Sequence, residues 1–151
     1  MLGWHWLSGT IPPDPAWSSM ASRLGTAALA LLPGTVVLWL MIAGQMATRI
    51  VSGRFNPTEG RDNHFLLINQ RAIGNTMEQL LGFIPALLAL AAGVTAAWMP
   101  KVIALALVFA VARLVFWLGY LARPVLRAPG MAATFATVTV TIAAAIWVWL
   151  P

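Results

Sequence analysis

The chain contains no cysteine. Disulfides, a thiolate nucleophile and thiolate metal sites are therefore excluded. Histidine occurs twice, as His5 and His64, and neither has a partner at metal-ligand spacing. A haem held by paired helical histidines is excluded with them. No metal is expected. Charge is scarce as well: Asp, Glu, Lys and Arg make up 9% of 151 residues, against roughly 25% in soluble domains. Acids are the rarest, 4 against 9 basic residues, giving a formal charge of +5. The basic residues form no run and no helical stripe, so nucleic acid is not expected as a partner. They look like membrane topology signals instead.

Apolar residues fill the space that charge leaves. They are 60% of the chain, more than a soluble domain of this size could hide from water. Four apolar segments stand out, at about 24–50, 65–98, 102–122 and 131–150. Each meets the length of about 20 residues that a helix needs to cross a hydrocarbon core. Only helices or closed barrels satisfy their backbone in lipid. Period-two alternation is missing, and Ala and Leu dominate, so helices are expected. The fold class is an all-α integral membrane four-helix bundle, a single domain of residues 1–151. The lipid bilayer is its first partner.

The first 20 residues hold Trp4, Trp6, Trp17 and three prolines but no basic n-region, so they read as an interfacial segment and not as a signal peptide. Residues 52–63 form a polar loop rich in turn formers. Met99-Pro100-Lys101 reads as a very short hairpin between the second and third helices. Arg123 to Gly130 links the third to the fourth. Pro33 and Pro85 fall inside helices, where each frees a carbonyl or bends the axis. Seven of the 9 basic residues flank the first and third connections, and only Arg23 and Lys101 mark the other side. The positive-inside rule then puts those two connections in the cytoplasm and both termini outside. A multi-pass protein of a bacterial inner membrane is expected.

The chemistry concentrates on two stretches. Arg71, Asn75 and Glu78 stand at i, i+4 and i+7 and share one face of the second helix. Arg113, Phe116 and Tyr120 repeat such a face on the third, with Arg127 beyond it. Ionisable groups at membrane depth are costly and usually face the protein interior. Arg71, Glu78 and Arg113 could form a buried ionic network that orders the bundle. Tyr120 could be an interfacial belt aromatic, and Arg123 and Arg127 topology signals. Gly74 suits close helix packing. Thr137, Thr139 and Thr141 suit back-bonds to their own helix.

The order and spacing of these residues resemble the membrane-associated proteins in eicosanoid and glutathione metabolism, the MAPEG family. That family carries Arg-x-x-x-Asn-x-x-Glu on its second helix, as Arg71, Asn75 and Glu78 do. It carries Ala-Arg-Leu, then Gly-Tyr, then an arginine seven residues on. Ala112-Arg113-Leu114, Gly119-Tyr120 and Arg127 match this. The spacing is closest to the leukotriene-synthase-like branch. The resemblance implies a homotrimer with glutathione as co-substrate between subunits at the cytoplasmic end. Arg71 and Asn75 would meet its backbone or carboxylates and Glu78 its amino group. Tyr120 would lie beside the peptide, and Arg127, the catalytic residue, would stabilise the thiolate. Arg54 and Arg113 complete the expected glutathione-binding set. The implied activity is a glutathione-dependent transferase or peroxidase acting on a lipophilic small molecule. The alternative is a non-enzymatic membrane protein of the same fold that binds a lipid or a partner helix. Three positions depart from the branch: Ile50 replaces an arginine, Phe116 a tyrosine and Gln79 an aromatic residue.

Overall fold

The computed structural model describes residues 9–12 and 14–151; His5, Trp4 and Trp6 lie outside them. Four long helices carry the fold. They are α1 (Met20–Ser52), α2 (His64–Gly93), α3 (Met99–Ala122) and α4 (Ala128–Trp149). All four are long and apolar enough to cross a membrane. They run up and down in alternation, with α1 packed on α2 and α3, and α4 packed on the same two.

Local chemistry sets the ends. Ser19 caps α1, its side chain accepting from the Ser22 amide, and Asn63 caps α2 by accepting from Leu66. Gly53 ends α1 at φ 66°, the left-handed conformation that glycine adopts without a steric penalty. Prolines in the first turns of α3 and α4 lack only an amide that has no helical partner there. Pro33 and Pro85 sit within continuous helices.

The second helix is shorter than the sequence suggests. It ends at Gly93, not Trp98. Met99-Pro100-Lys101 is not a hairpin but the first turn of α3. Arg23 supplies one physical reason. Its guanidinium donates to the carbonyls of Ala91 and Ala92 at the end of α2, and to those of Trp17 and Ser18. Carbonyls satisfied this way do not need a further helical turn. A cation at a helix C-terminus also complements the helix dipole. The same contacts pin a short 3₁₀ turn, Pro15–Ser18, against the bundle, with Trp17 buried and donating to Thr26.

The core has two parts. The larger lies toward the Arg23 end, where Phe83 and Phe109 stack with centroids 4.3 Å apart. The smaller gathers Val37, Met41, Ile68, Ile73, Phe116 and Tyr120 at the other end. Between α1, α2 and α3 runs a polar cluster that no motif announced. Asn69 donates to the Met41 carbonyl and to Gln45, Gln45 donates to Gln70 and the Leu66 carbonyl, and Trp117 donates to Asn69. Asn69 is fully buried, so these bonds satisfy amide groups that lipid could not. Thr137 and Thr141 make the expected back-bonds to Ala133 and Thr137. Apolar side chains such as Leu81, Trp147 and Phe135 point outward, as lipid contact requires.

Candidate functional site

The site lies where α2 begins and α3 ends. The turn Pro124–Arg127 folds back over α3 because Gly119 leaves room for it: a Cβ there would collide with the Leu126 carbonyl. Gly130 does the same for α4, since a Cβ would strike the Phe116 backbone and the Ala112 carbonyl. Two glycines therefore let the third connection close against the aromatic face of α3. In membrane helices, small residues bring backbones together in this way.

The result is a cavity of about 380 Å³ lined by Arg71, Asn75, Phe116, Tyr120, Arg127 and Met131. Its wall is a pair of rings flanked by a cation at each end. The Arg127 guanidinium lies 4.6 Å from the Tyr120 ring, Tyr120 is 5.8 Å from Phe116, and the Arg113 guanidinium lies 4.0 Å from Phe116. Tyr120 is 5% exposed, so it is a packed wall residue and not a belt aromatic. Arg127 and Arg71 are exposed at the mouth. Arg113 is fully buried behind the wall and donates through Nη2 to the Asn75 side-chain oxygen Oδ1 at 3.1 Å. That bond turns the Asn75 amide nitrogen away from Arg113. The Arg113 Nε and Nη1 groups have no hydrogen-bond partner among the described residues.

Four of the seven sequence-predicted residues thus line one cavity: Arg71, Asn75, Tyr120 and Arg127. Arg113 reaches it through Asn75 and Phe116. Arg54 and Glu78 do not line it. Glu78 is exposed on α2, one turn past Asn75. The buried network of Arg71, Glu78 and Arg113 does not form within the chain. The ion pairs among the described residues are Arg49–Asp62 and Arg61–Glu59. Arg49 holds Asp62 through both of its Nη groups and also donates to the Arg54 carbonyl, which staples the first connection shut. It therefore does not take over for the arginine missing at Ile50. Gly74, read as a packing residue, meets nothing inside the chain: a Cβ there finds open space. Met131 was not anticipated, because an apolar residue at the start of an apolar helix carries no motif.

A family model for MAPEG matches residues 24–147. The chain belongs to the MAPEG family. No curated protein matches it. The matched span reaches into all four helices and includes every residue lining the cavity, so the four membrane-spanning helices are consistent with the MAPEG bundle.

Proposed function

We propose that this MAPEG protein is a glutathione-dependent transferase or peroxidase that acts on a lipophilic electrophile, assembled as a homotrimer of the leukotriene-synthase-like kind. The observation that carries this reading is the joint lining of one cavity by Arg71, Asn75, Tyr120 and Arg127. Its volume lies in the range of small-ligand sites, roughly 300–1,000 Å³. The donor set fits glutathione. A guanidinium recognises a carboxylate in a planar, bidentate way, and Arg71 offers one at the mouth. The Asn75 amide supplies a neutral donor for a peptide carbonyl. Arg127, held over the Tyr120 ring, is placed to favour a thiolate, because a cation lowers a thiol pKa from its usual value of about 8.5. The lipophilic partner would reach the sulfur from the bilayer. In this reading, Glu78 and Arg54 act from a neighbouring subunit or only shape the mouth.

One observation favours a second reading, a non-enzymatic membrane protein of the same fold. Ile50 is exposed, Arg49 is committed to Asp62, and Phe116 offers no hydroxyl to the cavity. Two polar contacts are thereby lost, each worth about 1.5–3 kcal/mol when charged, or about ten- to a hundredfold in affinity. The expected outcome is weak glutathione binding and slow conjugation, both abolished in Arg127→Ala and modestly improved in Phe116→Tyr. Ultraviolet difference absorbance of the bound thiolate, titrated with glutathione, measures it. No thiolate signal from folded wild-type protein at saturating glutathione would give the second reading its place.

A further inference from the structure

At the connection between α3 and α4, exposed charge and exposed apolar surface meet on one turn. One apolar span ends at Ala122 and the next begins at Pro124, so only Arg123 separates them. The turn Pro124–Arg127 therefore sits at the boundary between hydrocarbon and headgroups. Val125 is 80% and Leu126 51% exposed, with Arg123 and Arg127 exposed on either side. The backbone of the turn is closed. Arg123 donates to the Gly119 carbonyl, Leu126 to the Arg123 carbonyl and Ala128 to the Val125 carbonyl. Two aliphatic side chains are thus held outward at headgroup depth, where such groups insert at the edge of the acyl region.

The Arg123 guanidinium makes no hydrogen bond, ion pair or ring contact among the described residues. The chain has 4 acidic residues, and none pairs with it. Asp62 is held by Arg49, and Glu59 lies 3.7 Å from Arg61. Asp14 caps the 3₁₀ turn at the far end of the bundle. Glu78 stands on α2 beyond Arg71, about 10 Å further into the bundle at 1.5 Å per residue. A guanidinium recognises phosphate in a bidentate way, and each basic residue near an anionic membrane surface adds to the attraction. Phosphatidylcholine carries the same phosphate beside its own quaternary cation, so net negative charge on the lipid decides the preference.

We propose that this turn is a site for an anionic phospholipid: Arg123 holds the headgroup phosphate, and Val125 and Leu126 enter the edge of the acyl region. The same turn carries Arg127, so a bound headgroup steadies one wall of the cavity, and it does so without any glutathione chemistry. Amide hydrogen exchange at Leu126 and Ala128 tests this, because their hydrogen bonds close the turn and break when it opens. Full-length protein is placed in nanodiscs of phosphatidylcholine, alone or with an equal part of phosphatidylglycerol. Each variant is compared with itself in the two discs, which cancels intrinsic exchange rates. In wild type, phosphatidylglycerol is expected to slow both amides about fivefold, the contribution of one arginine near an anionic surface. Arg123→Gln should exchange equally in both discs, and Val125→Asp should also lose the difference. Arg61→Gln removes the same charge from the first connection and should keep it. Equal rates for wild type in the two discs overturn the proposal. So does an equal loss in Arg61→Gln, which makes the attraction diffuse. Slowing by inorganic phosphate in phosphatidylcholine discs would make the ligand a free anion and overturn it too. Full protection in lipid-free detergent would assign the turn to contact between copies, with the same consequence.

Discussion

At the scale of single residues, Arg113 is the unusual group. It is fully buried at membrane depth, and among the described residues its one hydrogen bond goes to the Asn75 side chain. Two of its donor groups stay unpaired, and the Phe116 ring supplies the rest of its compensation. Buried charges of this kind are asymmetric. Replacing the charge by an apolar side chain of similar volume is often nearly neutral, whereas removing its partner leaves a charge uncompensated. Asn75→Ala is therefore expected to destabilise by about 1–3 kcal/mol or more, because it strands the last paired donor of a charged group. Arg113→Met should cost clearly less. Thermal unfolding in detergent, followed by circular dichroism, compares the two. The reverse order would mean that Arg113 has an acceptor which the subunit alone does not supply.

At the scale of elements, two glycines decide whether the site exists. A methyl group at Gly130 collides with the Phe116 backbone, so α4 must move away from α3 and take the Pro124–Arg127 turn with it. Overpacking of this sort costs about 1–3 kcal/mol. Gly130→Ala should lower the melting temperature and also remove any stabilisation by glutathione. Gly25→Ala, where a Cβ meets nothing within 4 Å, is the matched control and should leave both intact. Gly130 was visible in the sequence only as part of a linker, since close approach between two backbones leaves no mark on either one. The same limit explains the end of α2. Its carbonyls are satisfied by Arg23, 68 residues away in sequence, and no local pattern announces that bond. The four helices were legible because length and hydropathy are local. Arg71 and Asn75, and likewise Arg113 and Tyr120, were legible because helical spacing is local too. Gln45, Asn69 and Trp117 each looked like a single polar residue in an apolar helix, and only tertiary packing joins them.

At the scale of the whole molecule, the exposed face of α2 is the unsolved surface of the subunit. Arg71 and Glu78 are exposed there, and neither forms an ion pair among the described residues. A charged side chain facing lipid near a helix centre costs about 2.5–3.5 kcal/mol, so this face needs cover. The N-terminal half of α2 lies at the arginine-rich end, which the positive-inside rule expects to face the cytoplasm. A periplasm-active reporter is accordingly expected to be active when fused at the C-terminus and silent when inserted at Pro57; the opposite pattern inverts the orientation. A second copy of the chain is the cover that membership of the MAPEG family suggests. Gly74 lies between Arg71 and Glu78, and inside the subunit a side chain there meets only open space. Gly74→Leu should therefore leave the isolated fold untouched, since leucine is a good helix former and nothing collides with it. Against another copy, the same side chain would hold the helices apart, because close contact in membranes relies on small residues. The expected result is a trimer for wild type and a shift toward monomer for Gly74→Leu, with helix content unchanged. Native mass spectrometry reads the first quantity and circular dichroism the second. A Gly74→Leu variant that remains fully trimeric would remove α2 from the subunit interface, and Glu78 would then need a different partner.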